Sequence, residues 1–142
     1  MSAKAFIDTN VLVYLFDSRE PAKQKRAAQL LEDLTAANEA PVLSTQVLQE
    51  TFLALTRKLH LEPGDALAVL QMTDTASFTI QSVDAPLLWR AAARVIKDKL
   101  TFWDALILEA ALEADCTVLY SEDFQSNRSF GALTVVNPFL DR

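Results

Sequence analysis

Short apolar runs alternate along the chain with longer stretches whose apolar positions recur at helical spacing. Lys4 to Ile7 reads as a first strand, and Val11 to Phe16 as a short helix after it. Pro21 to Ala37 places Ala27, Leu30, Leu31 and Leu34 on one side with charges between them, which predicts a helix. Pro41 to Leu43 is a brief second strand, and Ser44 or Thr45 caps a helix running to about Leu59. A further helix is expected over Pro63 to Thr75, with proline in its first turn.

Ser77 to Val83 alternates imperfectly and reads as a third strand. Asp84 then caps a helix over Ala85 to Lys99. Thr101-Phe102-Trp103-Asp104 has capping-box form and opens a helix to about Ala114. Cys116 to Tyr120 is β-branched and aromatic, and Leu133 to Val136, stopped by Pro138, is the last strand. Strands separated by helices imply a three-layer α/β/α domain with a central parallel sheet of about five strands. No repeat, low-complexity tract or linker interrupts it, so one domain over residues 1–142 is expected.

Composition narrows the chemistry. With Gly64 and Gly131 the only glycines, neither a phosphate-cradling loop nor a dinucleotide fingerprint can be written. His60 is the sole histidine and Cys116 the sole cysteine, which removes paired-histidine zinc motifs, thiolate cages and internal disulfides. His60 reads as a helix-end side chain and Cys116 as core, as do Phe52, Trp89, Phe102 and Trp103. A net charge of −6, from 13 Lys and Arg against 19 Asp and Glu, argues against binding nucleic acid by bulk phosphate neutralisation. No apolar run has the length of a membrane span, and a cytoplasmic protein is expected.

The remaining ionisable inventory is mainly carboxylates. In an open parallel sheet, ligands bind beyond the carboxyl ends of the strands, and crossover helices begin near that same edge. Asp8 follows the first strand and Asp123 the fourth, while Glu50 and Asp104 lie in the early turns of two helices. Each acid alone has an ordinary role. Asp8-Thr9-Asn10 can be a capping turn, Glu50 a solvated helical acid, Asp104 half of a capping box and Asp123 a turn residue. Their shared edge is what a purely structural reading leaves unexplained.

Crowded carboxylates repel, and a divalent cation removes that cost. Oxygen-only ligands favour Mg²⁺, with Mn²⁺ as a substitute, and such an ion can activate a water toward phosphorus. Phosphodiester hydrolysis is the implied reaction class. Lys97 and Lys99, just before Thr101, are placed to reach a phosphate there.

Three blocks carry a family resemblance. Phe6-Ile7-Asp8-Thr9-Asn10-Val11-Leu12-Val13-Tyr14, Thr101-Phe102-Trp103-Asp104-Ala105-Leu106-Ile107 and Leu119-Tyr120-Ser121-Glu122-Asp123-Phe124 look like the sequence blocks of PIN-domain ribonucleases. The chain most resembles the VapC toxins of prokaryotic toxin–antitoxin pairs, and its end, Val135-Val136-Asn137-Pro138-Phe139, is similar too.

That resemblance implies a Mg²⁺-dependent endoribonuclease with Asp8, Glu50, Asp104 and Asp123 at the acidic positions, Asp8 and Asp104 foremost as metal ligands. Thr9, Asn10, Thr101 and Ser121 are the supporting polar candidates, and Glu122 competes with Asp123. An RNA substrate, homodimers, products with 3′-hydroxyl and 5′-phosphate ends, and a cognate antitoxin that obstructs the acids are also implied. Two other readings remain open at the level of sequence. One is a non-catalytic module whose acidic rim receives an arginine-bearing partner segment. The other is a metal-dependent phosphatase, although Asp8-Thr9-Asn10 lacks the second Asp of a common phosphatase pattern.

Overall fold

The computed structural model describes residues 4–74 and 77–140. Its first strand, β1 (Ala5–Ile7), is buried at all three positions. Successive strand side chains point to opposite faces, so both faces of β1 are covered, as a three-layer α/β architecture requires. The chain continues through α1 (Thr9–Tyr14), α2 (Pro21–Ala36), β2 (Val42–Ser44), α3 (Thr45–Arg57) and α4 (Pro63–Met72). It then forms β3 (Thr79–Gln81), α5 (Ala85–Asp98), α6 (Phe102–Glu113), β4 (Val118–Tyr120), β5 (Ser129–Phe130) and β6 (Leu133–Val136).

The strand order is β3-β2-β1-β4-β6-β5. From β1 the chain winds outward through β2 to β3, then returns to β4 on the other side of β1. The β1/β4 boundary is therefore the point where winding reverses. Phe6 lies opposite Val42 of β2 and Leu119 of β4, in parallel register. All pairings are parallel except β5 with β6.

Capping explains several boundaries. Asp8 caps α1 by accepting from Thr9 N, so that helix starts two residues earlier than Val11. Ser44, Asp84 and Thr101 cap α3, α5 and α6 through their side chains. The fourth helix closes at Met72, short of the expected end, with Thr73 as its C-cap and Asp74 beyond it in a bend, while Thr75 lies outside the described residues. The sheet has a sixth strand that periodicity does not signal. Two residues are too few to show alternation, and β5 exists because Gly131, at a φ of +63°, turns the chain back into β6.

Helix α6 is buried at every position from Ala105 to Ala111, the pattern of a helix surrounded by protein. One of those positions is Glu109, which needs compensation. Arg94 of α5 donates to it at 2.7 Å and Arg90 stands 3.5 Å away, while Arg94 also pairs with Asp98. These pairs lock α5 along α6 and so fix where α6 begins. No helix among the described residues is long and apolar enough to cross a membrane.

The core follows the central strands, with Phe6, Ile7, Leu43, Leu108, Leu119 and Leu133 fully enclosed. Because Leu119 sits in β4, where site and core share a strand, Leu119→Ala is expected to lower stability by about 2–5 kcal/mol. Urea denaturation should show a lower midpoint with an unchanged slope.

Candidate active site

Site construction starts at the ends of the two central strands. Asp8 leaves β1 with its backbone N–H donating to Tyr120 O at 3.0 Å, which prolongs the β1/β4 ladder by one residue. Asp8 as a whole is 3% exposed. Thr9 N donates to Asp8 Oδ1 at 2.7 Å, and the buried Ser121 hydroxyl, just past β4, donates to Oδ2 at 2.7 Å. Ser121 Oγ in turn accepts from Asp123 N at 3.1 Å, so one hydroxyl ties the segments carrying Asp8 and Asp123 together.

The same chain of bonds extends the other way. Thr9 Oγ1 donates to Glu50 Oε1 at 2.8 Å, and Gln46 Nε2 lies 3.4 Å from Glu50 Oε2. Gln46 Nε2 also donates to Trp103 O at 3.2 Å, which anchors the first turn of α6. Asp104, the next residue, donates its backbone N–H to Thr101 Oγ1 at 3.1 Å. A continuous hydrogen-bonded path thus links the four acid-bearing segments. Gln46 was not legible as a site residue, although its spacing of four from Glu50 on α3 puts both on one helix face.

The electrostatics match the path. Burial pushes the Asp8 carboxyl from 3.8 up to about 7, opposed by Ser121 and Thr9 and reinforced by the charges of Asp123 and Glu50. Burial raises Asp104 as well, opposed by Thr101 and reinforced by the same two acids. Among the described residues, none of Asp8, Glu50, Asp104 and Asp123 has a lysine or arginine ion-pair partner. Also among the described residues, no three Asp, Glu, His or Cys side chains stand in ready metal-binding geometry. The acids therefore share a field without forming a finished cage. An oxygen-only, uncompensated donor set of this kind fits a hard divalent cation.

Glu122 is drawn elsewhere. Tyr14 donates to its Oε1 at 2.6 Å and Lys23 to its Oε2 at 3.0 Å, so Glu122 is engaged by a phenol and an ammonium, whereas Asp123 has no ion-pair partner among the described residues. Tyr14 also meets Phe139 edge-on, with ring centroids 5.0 Å apart. Asn10 accepts a long bond from Glu122 N, and its Nδ2 is buried without a partner among the described residues. The aromatic residues expected in the core depart from that expectation. Trp103 is 61% exposed and Trp89 71%, because α5 and the start of α6 turn those positions outward, and Phe102 packs edge-on against Trp103 instead. Cys116 is buried, and His60 adopts a left-handed φ of 58° just past α3.

Beside the acids lies a cleft of about 890 Å³. One wall is α1, through Thr9, Asn10 and Val13, and the other is α3, from Glu50 to Arg57. A crevice near the winding reversal of a parallel sheet, with the unpaired Glu50 and Asp123 in its lining, defines a class of α/β site suited to cation-assisted chemistry on an anionic ligand.

Comparison with known proteins makes the assignment specific: the chain belongs to the PIN-domain family, whose model matches residues 5–128. A toxin–antitoxin complex from Klebsiella pneumoniae is similar at 25% identity and a TM-score of 0.68, with 96% of this chain and 98% of that one covered. Mycobacterium tuberculosis VapC20, described as a sarcin–ricin loop cleaving toxin, shares 21% identity at a TM-score of 0.64, covering 84% and 90%. VapBC2 from Rickettsia felis, solved with a DNA fragment from its promoter, shares 15% at 0.58, covering 92% and 96%. These last two likenesses speak to the fold alone. No curated protein matches the chain.

The raised Asp8 carboxyl sets a pH dependence in chelator. Between about 4 and about 7 the folded protein holds a proton that the unfolded chain releases, so stability present at low pH is lost as pH rises through that window. The loss should reach up to about 4 kcal/mol in urea denaturation with chelator present, and Asp8→Asn should flatten it. An equal slope in Asp8→Asn would show that the Asp8 proton is not its source.

Proposed function

We propose that this chain is a divalent-cation-dependent endoribonuclease and the toxin of a toxin–antitoxin pair, with residues 1–142 forming one nuclease domain that acts in the cytoplasm. The observation that carries this reading is the set of four uncompensated carboxylates joined through Ser121, Thr9 and Gln46 at the β1/β4 edge. Membership of the PIN-domain family supports it, as does the likeness to the Klebsiella toxin–antitoxin complex over nearly the whole chain. RNA is the substrate proposed by analogy of fold with VapC20, which is described as cleaving the sarcin–ricin loop.

Asp8 and Asp104 are the principal holders of Mg²⁺, or of Mn²⁺ in its place, with Glu50 and Asp123 completing the set. A bound divalent ion would supply positive charge against the substrate phosphate and acidity to a water molecule. The chain's own residues do the positioning. Ser121 and Thr9 hold both Asp8 oxygens, so the carboxylate cannot rotate away from the edge. Thr9 and Gln46 fix Glu50 from two sides, and Thr101 sets the first turn that presents Asp104. Asp123 is 2 residues beyond Ser121 and is steered by its backbone bond to that hydroxyl. A homodimer and a cognate antitoxin that covers the acids complete the proposal.

Purified protein should cleave total cellular RNA with Mg²⁺ or Mn²⁺ and not with chelator. Asp8→Asn and Asp104→Asn should each lose at least about 100-fold, since even outer partners of metal ligands cost 10–100-fold. Ser121→Ala should fall within that smaller range. Undiminished or chelator-resistant cleavage by Asp104→Asn would defeat the mechanism. Absence of any cleavage, with an arginine-bearing segment bound at the acids without metal, would favour the non-catalytic module.

A further inference from the structure

The cleft beside the acids is not uniformly acidic. Its lining includes three cations, Arg19, Arg57 and Lys58. Arg19 is committed, since its Nε and Nη2 donate to the two Asp17 carboxylate oxygens at 2.9 and 3.1 Å. Arg57 and Lys58 are exposed, and among the described residues neither has an ion-pair partner. Other cations without an ion pair among the described residues, such as Lys25, Lys97 and Lys99, lie outside this cleft, whereas Lys23, Arg90 and Arg94 are paired with acids.

Their position on α3 is informative. Seven residues separate Glu50 from Arg57, which is two turns, so the two side chains share a helix face about 10 Å apart along the axis. Leu53 and Ala54 lie between them and line the same wall. Lysine or arginine at a helix carboxyl end interacts favourably with the dipole, which accounts for cations at the end of α3. It does not account for both facing a cleft whose other end holds Glu50 and Asp123. A ligand spanning that cleft meets carboxylates at one end and free cations at the other. Glu20 and Asp17 also border it, so the cations mark a local spot within an acidic surround.

We infer that Arg57 and Lys58 bind backbone phosphates of a single-stranded RNA, holding the strand along α3 so that a phosphodiester one or two nucleotides away lies over the acids. The inference rests on the nuclease reading of the acids and adds to it the direction in which the strand leaves the site. It also reconciles a net charge of −6 with a polyanionic substrate: attraction is confined to two side chains inside the cleft. Contacts of this kind are sequence-independent, so they position the strand and leave base selection to other residues.

The test uses the full chain carrying Asp104→Asn, so that RNA is not consumed, with labelled poly(U) in chelator and binding followed by anisotropy across a salt series. Replacing Arg57 and Lys58 together by glutamine should reduce the slope of log affinity against log salt by roughly 1.4, about 0.7 for each phosphate lost. Lys25→Gln, an equal single-charge change on exposed α2 surface outside the cleft, should leave the slope as it was. In the cleaving protein the double variant should raise KM several-fold while kcat stays within about twofold.

An unchanged slope in the double variant, or an equal drop per charge in Lys25→Gln, overturns the inference even if the parent protein cleaves RNA normally. A reduced slope alongside a parent that cleaves nothing would uphold phosphate binding and bring down the nuclease reading instead. Unaltered poly(U) binding with weakened binding of poly-L-glutamate would identify an acidic peptide segment as the occupant and also overturn it.

Discussion

Mutual repulsion among four carboxylates, one of them almost wholly removed from water, is the constraint around which this edge of the molecule is organised. Ionised Asp8 loses hydration on burial and gains little from its neighbours, two of which are acids. Folding offsets part of that cost with the Ser121 hydroxyl and the Thr9 N–H, one on each carboxylate oxygen. No lysine or arginine among the described residues supplies the rest. Clustered acids that include a carboxyl pushed up by burial are characteristic of functional sites.

Much of the remaining structure can be understood as holding that arrangement still. The fully enclosed side chains of β1 and β4 fix the two strand ends from which Asp8 and Ser121 emerge. Glu109, gripped by Arg94 and approached by Arg90, anchors α6 against α5 and with it the turn that presents Asp104. The Tyr14, Lys23 and Glu122 cluster has a complementary effect. It engages Glu122 with a phenol and an ammonium, which compensates the charge of a fifth acid beside Asp123.

Within its acidic surround the cleft carries a local cationic spot because α3 bears acid in its second turn and base in its last. A helix packed with its first turn at the carboxyl edge of a parallel sheet necessarily points its final turn away from the acids. Charge segregation along a single helix therefore becomes charge segregation along a groove.

The order and type of the elements are readable from the chain alone, because strand runs, helical spacing and side-chain caps are encoded by neighbouring residues. So is the assignment of Asp8, Glu50, Asp104 and Asp123 to one edge, since the carboxyl ends of parallel strands and the starts of crossover helices must coincide there. How those acids are held is settled by folding instead. The bonds from Thr9 to Glu50, Gln46 to Trp103 and Ser121 to Asp8 join residues 41, 57 and 113 positions apart, and no local pattern specifies such partners. The exposure of Trp103, the short β5 strand and the diversion of Glu122 toward Lys23 were likewise settled by packing between distant segments, where what surrounds a side chain outweighs its intrinsic preference.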